Sequence, residues 1–314
     1  MTDKNVSRRK ALGFMGAAAG AAVLSQKETV FAKPVAGKKA NFTLCLNMAT
    51  IRGHHLGFVK ELETASAAGY SSVEIWMDSL QGYLTNGGTV NDVKKRLDGL
   101  GLKVENCICL DEWIVDDYKT REKALEQMKN EMGLLAEIGC KRIIATAMGA
   151  ANDGMPLNIT AARYRTVIEL GASFGVVPQL EMWGFTKNLS RVNEVLYIAM
   201  ETGQPSAKIL LDVFHLYRGN TPLDTLKLMN PIANDILHMN DYPATSNYEL
   251  ITDADRIYPG DGIAPLKKIL QLLKRDDQPL VLSCELFNKT YYSQDALTVA
   301  KTSLSKMKEV VNGL

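Results

Sequence analysis

An excess of charge of either sign is missing from this sequence: 36 Lys and Arg stand against 35 Asp and Glu, a formal net charge of +1. No long Lys/Arg run supplies a local substitute, so nucleic acid and anionic membrane surfaces are excluded as partners. Cysteine is also scarce. Cys45, Cys107, Cys109, Cys140 and Cys284 are odd in number and scattered through apolar runs, with no paired metal spacing among them. Cys107 and Cys109 are too close along a strand to signal zinc, and all five are read as buried thiols. Linkers, low-complexity tracts and a second domain are absent too. What remains is 314 residues, 46% hydrophobic and 23% charged, the composition of a globular enzyme with a large core.

The N-terminus reads as an address. Ser7-Arg8-Arg9-Lys10 precedes an uncharged Ala/Gly-rich stretch from Ala11 to Ser25. That stretch is shorter than the roughly 20 apolar residues of a membrane-crossing helix, so it is expected to be a twin-arginine signal and not a stable span. Small residues near Val30-Phe31-Ala32 suit cleavage. The expected organisation is a signal over residues 1–32 and a folded domain over 41–314, exported already folded to the periplasm.

From Asn41 the chain repeats a short apolar run, a polar turn and a longer segment with helical spacing. Eight runs read as strands: Phe42–Met48, Ser72–Trp76, Lys103–Ile108, Arg142–Thr146, Val176–Glu181, Lys208–Asp212, Asp235–Asn240 and Pro279–Glu285. Helical patterns fill the intervals, as at Val90–Gly99 and Arg121–Ile138, and Gly69, Gly101, Gly139 and Gly175 stand where left-handed C-caps belong. Eight β/α units in about 270 residues predict a single-domain (β/α)₈ TIM barrel. An open doubly wound sheet would need a phosphate-binding glycine loop after the first strand, and Asn47 to Gly53 contains none.

In a barrel, chemistry sits at the C-terminal ends of strands. The fifth strand ends on Glu181 and the sixth on Asp212, with His215 three residues on; the seventh carries His238, and the eighth ends on Glu285. Oxygen and nitrogen donors of this kind suit one Mn²⁺, Mg²⁺, Co²⁺ or Zn²⁺ ion. Singly, each has a plainer reading: a strand-end Glu is often salt-bridged and a strand-end Asp is often a helix N-cap. Four at the ends of consecutive strands are harder to assign to chance. His54 and His55, after the first strand, are second-tier candidates.

The order Glu181, Asp212-x-x-His215, His238-x-x-Asp241, Glu285 resembles the sugar phosphate isomerase and epimerase family of xylose-isomerase-like TIM barrels. Smaller marks are Ser72-Val73-Glu74-Ile75-Trp76, and Arg256 followed by Pro259-Gly260-Asp261-Gly262. The resemblance implies that Glu181, Asp212, His238 and Glu285 bind one divalent metal and that His215 holds substrate oxygens. It further implies a sugar or keto-sugar isomerase or epimerase working through an enediolate, with Glu181 and Glu285 moving the proton. Family members acting on ketoses often carry another Glu six residues after the first ligand; Lys187 stands there. As a catalytic cation beside a leaving oxygen, Lys187 would favour the alternative, a lyase or dehydratase acting on a keto-glycoside or inosose-like compound. The remaining alternatives are a non-catalytic exported sugar-binding barrel and a nuclease of the same fold, the latter disfavoured by the four histidines and the neutral charge. The expected partner is a small-molecule carbohydrate, and a homo-oligomer is left open.

Overall fold

The computed structural model describes residues 42–314 except 153, 245, 246 and 277. The signal expected over residues 1–32, and residue 41, lie outside the described residues. Eight parallel strands form one sheet: β1 (Phe42–Asn47), β2 (Ser72–Trp76), β3 (Lys103–Ile108), β4 (Arg142–Ala145), β5 (Val177–Glu181), β6 (Lys208–Asp212), β7 (Asn234–Met239) and β8 (Leu280–Cys284). Their order is β3-β2-β1-β8-β7-β6-β5-β4, so the first and last strands pair and the sheet curls into a nearly closed TIM barrel. Pairing of β1 with β8 removes the doubly wound alternative, whose sheet would stay open. Among the described residues no helix is long and apolar enough to cross a membrane.

The strand expectations hold to within two residues at each end, because short β-branched and Leu-rich runs in a parallel sheet are buried on both faces. All four glycines expected as caps adopt positive φ, between 63° and 96°. The helical segments deviate more. Val213–Arg218 and Met77–Thr85 follow their strands directly and were not expected, while the rest of the interval before β7 holds only a 3₁₀ helix over Leu223–Leu228 and a single 3₁₀ turn over Pro231–Ala233. The last segment breaks into Lys289–Tyr292 and Ala296–Val311, with Asp295 accepting from the Thr298 N–H at 2.8 Å as the N-cap of the second piece.

The two rims of the barrel differ in charge balance. At the N-terminal ends, Asp235 gathers Lys208 (3.2 Å), Arg275 (2.5 Å) and Arg142 (3.6 Å), while Glu105 takes Lys103 (2.9 Å) and Arg142 (3.2 Å). Here cations outnumber carboxylates and every one is paired, as befits a stability face. Tyr164, on the helix Leu157–Ala172, fastens the outer layer there by donating to the carbonyls of Pro178 (2.9 Å) and Lys208 (2.7 Å). At the C-terminal ends the balance reverses.

Candidate metal centre

Strand register builds the C-terminal rim. Asp212 on β6 stands opposite His238 on β7, and His238 stands opposite Ser283 on β8. Glu285, two residues beyond Ser283, points the same way, since side chains alternate along a strand. Glu181 closes β5. Ligand atoms from Glu181, Asp212, His238 and Glu285 therefore lie within 4.8 Å of one another, and none of the four residues is more than 4% exposed. His238 Nδ1 stands 3.1 Å from Glu285, 3.2 Å from Glu181 and 3.7 Å from Asp212. It has no hydrogen-bond partner. A buried nitrogen facing three carboxylates without hydrogen-bond geometry fits a divalent cation, as does the hard donor set.

Asp212 unites two roles that compete on paper. It caps the helix Val213–Arg218 by accepting from the His215 N–H at 3.1 Å, and its other oxygen faces the centre. Asn240 Nδ2 donates to both its oxygens at 3.2 and 3.3 Å. Gly184, in the loop after Glu181, is required by space: a Cβ there would sit 2.5 Å from the His215 carbonyl. Trp183 in that loop donates its indole N–H to Glu181.

Two residues that sequence reasoning treated only as family marks complete the centre. Glu74 is wholly buried in β2, and both its oxygens lie 3.1 Å from His238 Nε2. It also accepts from Asn106 (2.7 Å), Asn47 (3.0 Å) and Ser283 (2.5 Å), a polar layer set by the registers Asn47–Glu74 and Glu74–Asn106. Its contact with His238 fixes Nδ1 toward the carboxylates. The readable signal was a Glu in mid-strand among Val, Ile and Trp. Arg256 is 1% exposed and bridges Asp212 (2.6 Å) and Glu285 (2.8 Å) through Nη1. Its Nη2 meets Asp253 at 2.6 Å and His215 Nε2 at 3.3 Å. No strand end marks Arg256; it lies in the loop that Asp241 organises by accepting from the N–H groups of Gly260 (3.0 Å) and Ala264 (2.8 Å).

Burial and charge set the protonation states. Burial, reinforced by Glu285 and Asp212 and opposed by His238, pushes Glu181 up to about 7. Burial would also raise Asp212, yet Arg256 and the imidazoles of His215 and His238 outweigh it and hold that carboxyl at about 2. His215 falls to about 4, chiefly through burial, and is neutral at neutral pH. Burial acts the same way on His238, but Glu285 and Glu74 override it and raise that imidazole.

Beside the centre lies a cavity of about 160 Å³, walled by Trp76, Trp183, Phe185 and Phe287, with Glu181, His215, Arg256 and Glu285 at its polar side. Lys187 does not reach it. Its backbone N–H bonds the Ala151 carbonyl at 2.8 Å and the residue is exposed, whereas Phe185, two residues earlier, lies on the cavity wall. Lys187 is exposed and is not among the residues that line this cavity. His54 and His55 are not among the residues that line it either: His54 is held by the carbonyls of Ile51 (3.0 Å) and Gln294 (2.9 Å), and His55 is exposed.

The model of the xylose isomerase-like TIM barrel family matches residues 62–310. The chain belongs to this family. Inosose isomerases from Halalkalibacterium halodurans and Bacillus subtilis are each 25% identical over 276 residues, covering 86% of this chain and 96% and 98% of theirs. Among solved structures, the IolI protein with a bound zinc atom superposes with a TM-score of 0.77 at 23% identity, over 86% of this chain and 98% of that one. The probable 3-DHS dehydratase AsbF from Bacillus anthracis gives 0.69 at 18%, over 85% and 99%. These two establish the shared fold.

Proposed function

We propose that the protein is a divalent-metal-dependent isomerase or epimerase acting on an unphosphorylated ketose or an inosose-like cyclic ketone. The observation that carries this reading is the convergence of Glu181, Asp212, His238 and Glu285 on one buried point at the wall of an aromatic-lined cavity. Family membership and the inosose isomerases among its relatives support the enzyme class. A cavity of about 160 Å³ is below the roughly 300 Å³ of drug-sized pockets, which suits one monosaccharide-sized molecule. Its aromatic walls suit the C–H faces of a polyol ring. Arg256 is the one Arg or Lys among the described residues lining it and is already held by three carboxylates, which disfavours a phosphorylated substrate.

The four clustered residues would hold the ion, which when bound supplies Lewis acidity toward a carbonyl and its neighbouring hydroxyl. Glu181, on the cavity wall, accepts the proton from the carbon beside the carbonyl. Return of that proton from Glu181 to the adjacent carbon gives isomerisation; for epimerisation Glu285, also on the cavity wall, passes a proton taken from water to the opposite face of the same carbon, and Glu181 releases its own to water. Neutral His215 takes an N–H···N contact from Arg256 at Nε2, which leaves Nδ1–H a buried donor without a partner, suited to an enediolate oxygen. Loss of a β-oxygen substituent from the same enediolate would make the protein a lyase or dehydratase, which stands as the alternative reading.

The test is deuterium incorporation from D₂O during turnover by the metal-loaded protein, screened over ketoses, keto-glycosides and inososes. Label at the carbon next to the carbonyl, lost in Glu181→Gln and Glu285→Gln, is the expected result. Turnover without label would indicate a hydride shift and remove both glutamates from proton transfer. An unsaturated product would assign the lyase alternative, and binding without turnover the sugar-binding barrel.

A further inference from the structure

A second group of potential ligands lies at the same rim, across a wall formed by Trp76, Ile108 and Leu110 that borders both cavities. Cys109 and Asp111 follow β3, and Glu131 comes from the helix Tyr118–Glu137. Ligand atoms from these three lie within 4.8 Å of one another. The residues are 5%, 5% and 2% exposed respectively. Gln81 and Gln127 each donate to Glu131 Oε1 at 3.1 Å, which leaves Oε2 without a partner. Both oxygens of Asp111 lack a hydrogen-bond partner outside this group of three.

Two carboxyls buried together without a counter-charge are expensive. Among the described residues no Lys or Arg forms an ion pair with Asp111 or Glu131; the nearby Arg52 is taken by Asp78 and lies 4.0 Å over the Trp76 ring. The Cys109 thiol lies 3.3 Å from the Ile144 carbonyl. A cavity of about 240 Å³ opens onto Cys109 and Glu131, large enough for water or another small ligand.

We propose that Cys109, Asp111 and Glu131 form a second metal site, which takes one borderline divalent cation such as Zn²⁺ and leaves a coordination position open to this cavity. One thiolate and two carboxylates are a complete protein share for a four-coordinate ion with an exogenous fourth ligand. Zn–S near 2.3 Å and Zn–O near 2.0–2.2 Å require ligand atoms roughly 3.5 Å apart, so contraction from the present spacing by side-chain rotation suffices. Binding requires the thiolate, and the cation supplies the counter-charge that the two carboxyls lack. Sulfur sets this site apart from the sulfur-free centre at Glu181, which selects for harder ions. The reading of Cys107 and Cys109 as inert thiols then applies to Cys107 alone.

Sulfur also supplies the test. The full-length chain, stripped with a chelator, is titrated with Co²⁺ while bound metal is counted and the near-ultraviolet sulfur-to-cobalt charge-transfer band is followed. Two equivalents are expected, one accompanied by the band. Cys109→Ser should lose the band and one equivalent yet keep the other, which shows that the barrel is folded. Asp111→Asn serves as the second variant if Cys109→Ser fails to fold, and should likewise lose one equivalent. A Glu181→Gln, Asp212→Asn double variant should keep the band, so failure of the main centre and failure of this site are read separately. A single equivalent without a band in the wild-type chain, or a band that survives Cys109→Ser, overturns the proposal.

Discussion

Replacing Glu74 by Gln tests how the metal centre is oriented, with no change of volume. Glu74 presents four acceptor contacts to four groups: Asn106 and His238 on one side, Asn47 and Ser283 on the other, and His238 Nε2 at 3.1 Å from both oxygens. Glutamine keeps one acceptor oxygen and sets an NH₂ against donors on the other side. With the NH₂ toward His238, the imidazole meets it best as an acceptor at Nε2, which moves the ring proton to Nδ1 and blocks the atom that faces Glu181 and Glu285. With the NH₂ toward Asn47 and Ser283, the Ser283 hydroxyl can rotate but the Asn47 amide is left clashing or unpaired, at about 1–3 kcal/mol. Either way the negative charge that strengthens His238 as a ligand is gone. Loss of such a supporting contact typically weakens metal binding by about 10- to 100-fold, or about 1.4 to 2.7 kcal/mol. Competition against a fluorescent chelator measures this directly, and a urea melt of the metal-free protein measures the stability loss separately. Affinity unchanged within about twofold in a folded Glu74→Gln variant would refute the idea that Glu74 directs Nδ1, since a factor of two is only about 0.4 kcal/mol.

Other outcomes follow from the same geometry. His215→Ala should retain bound metal while kcat falls by a factor on the order of 10², as expected for removal of one oxyanion donor; metal loss would place His215 among the ligands. Lys187→Ala should leave kcat and KM within about twofold, since the residue is exposed and away from the cavity, and a larger loss would assign it a catalytic role. Glu61 is buried against the Ser79 hydroxyl at 2.8 Å and its carboxyl is raised, chiefly by burial. A raised acid contributes stability below its unfolded value near 4.5 that is lost as pH climbs through the folded value, so Glu61→Gln should gain on wild type in urea melts as pH increases from 4.5; a flat difference would contradict this. Export is tested by changing Arg8 and Arg9 to Lys, which should hold the protein in the cytoplasm, whereas undiminished export would remove the twin-arginine assignment.

The amino-acid order by itself determined the eight strands, the barrel and the rim on which chemistry belongs. Strand composition is local, and in a barrel the last residue of a strand inherits its place from the architecture, so Glu181, Asp212, His238 and Glu285 could be named from position alone. Tertiary structure decided everything that depends on register, on loop paths or on which way a turn residue faces. Glu74 sits in mid-strand and reads locally as part of an apolar run; only the lateral registers of β1, β2 and β3 bring Asn47 and Asn106 to its sides, and only closure of the barrel brings His238 across to it. Arg256 lies 44 residues from Asp212 on a loop with no periodic signal, and its ion pairs exist because Asp241 ties that loop down. For Lys187, a spacing of six from Glu181 states nothing about direction, and the residue is exposed while Phe185 lies on the cavity wall. Cys109, Asp111 and Glu131 are divided between a strand exit and the second turn from the end of a helix. No linear spacing joins them, because the contact is made by packing the helix onto the barrel, where an apolar surround turns two ordinary carboxyls and a thiol into a group short of one cation.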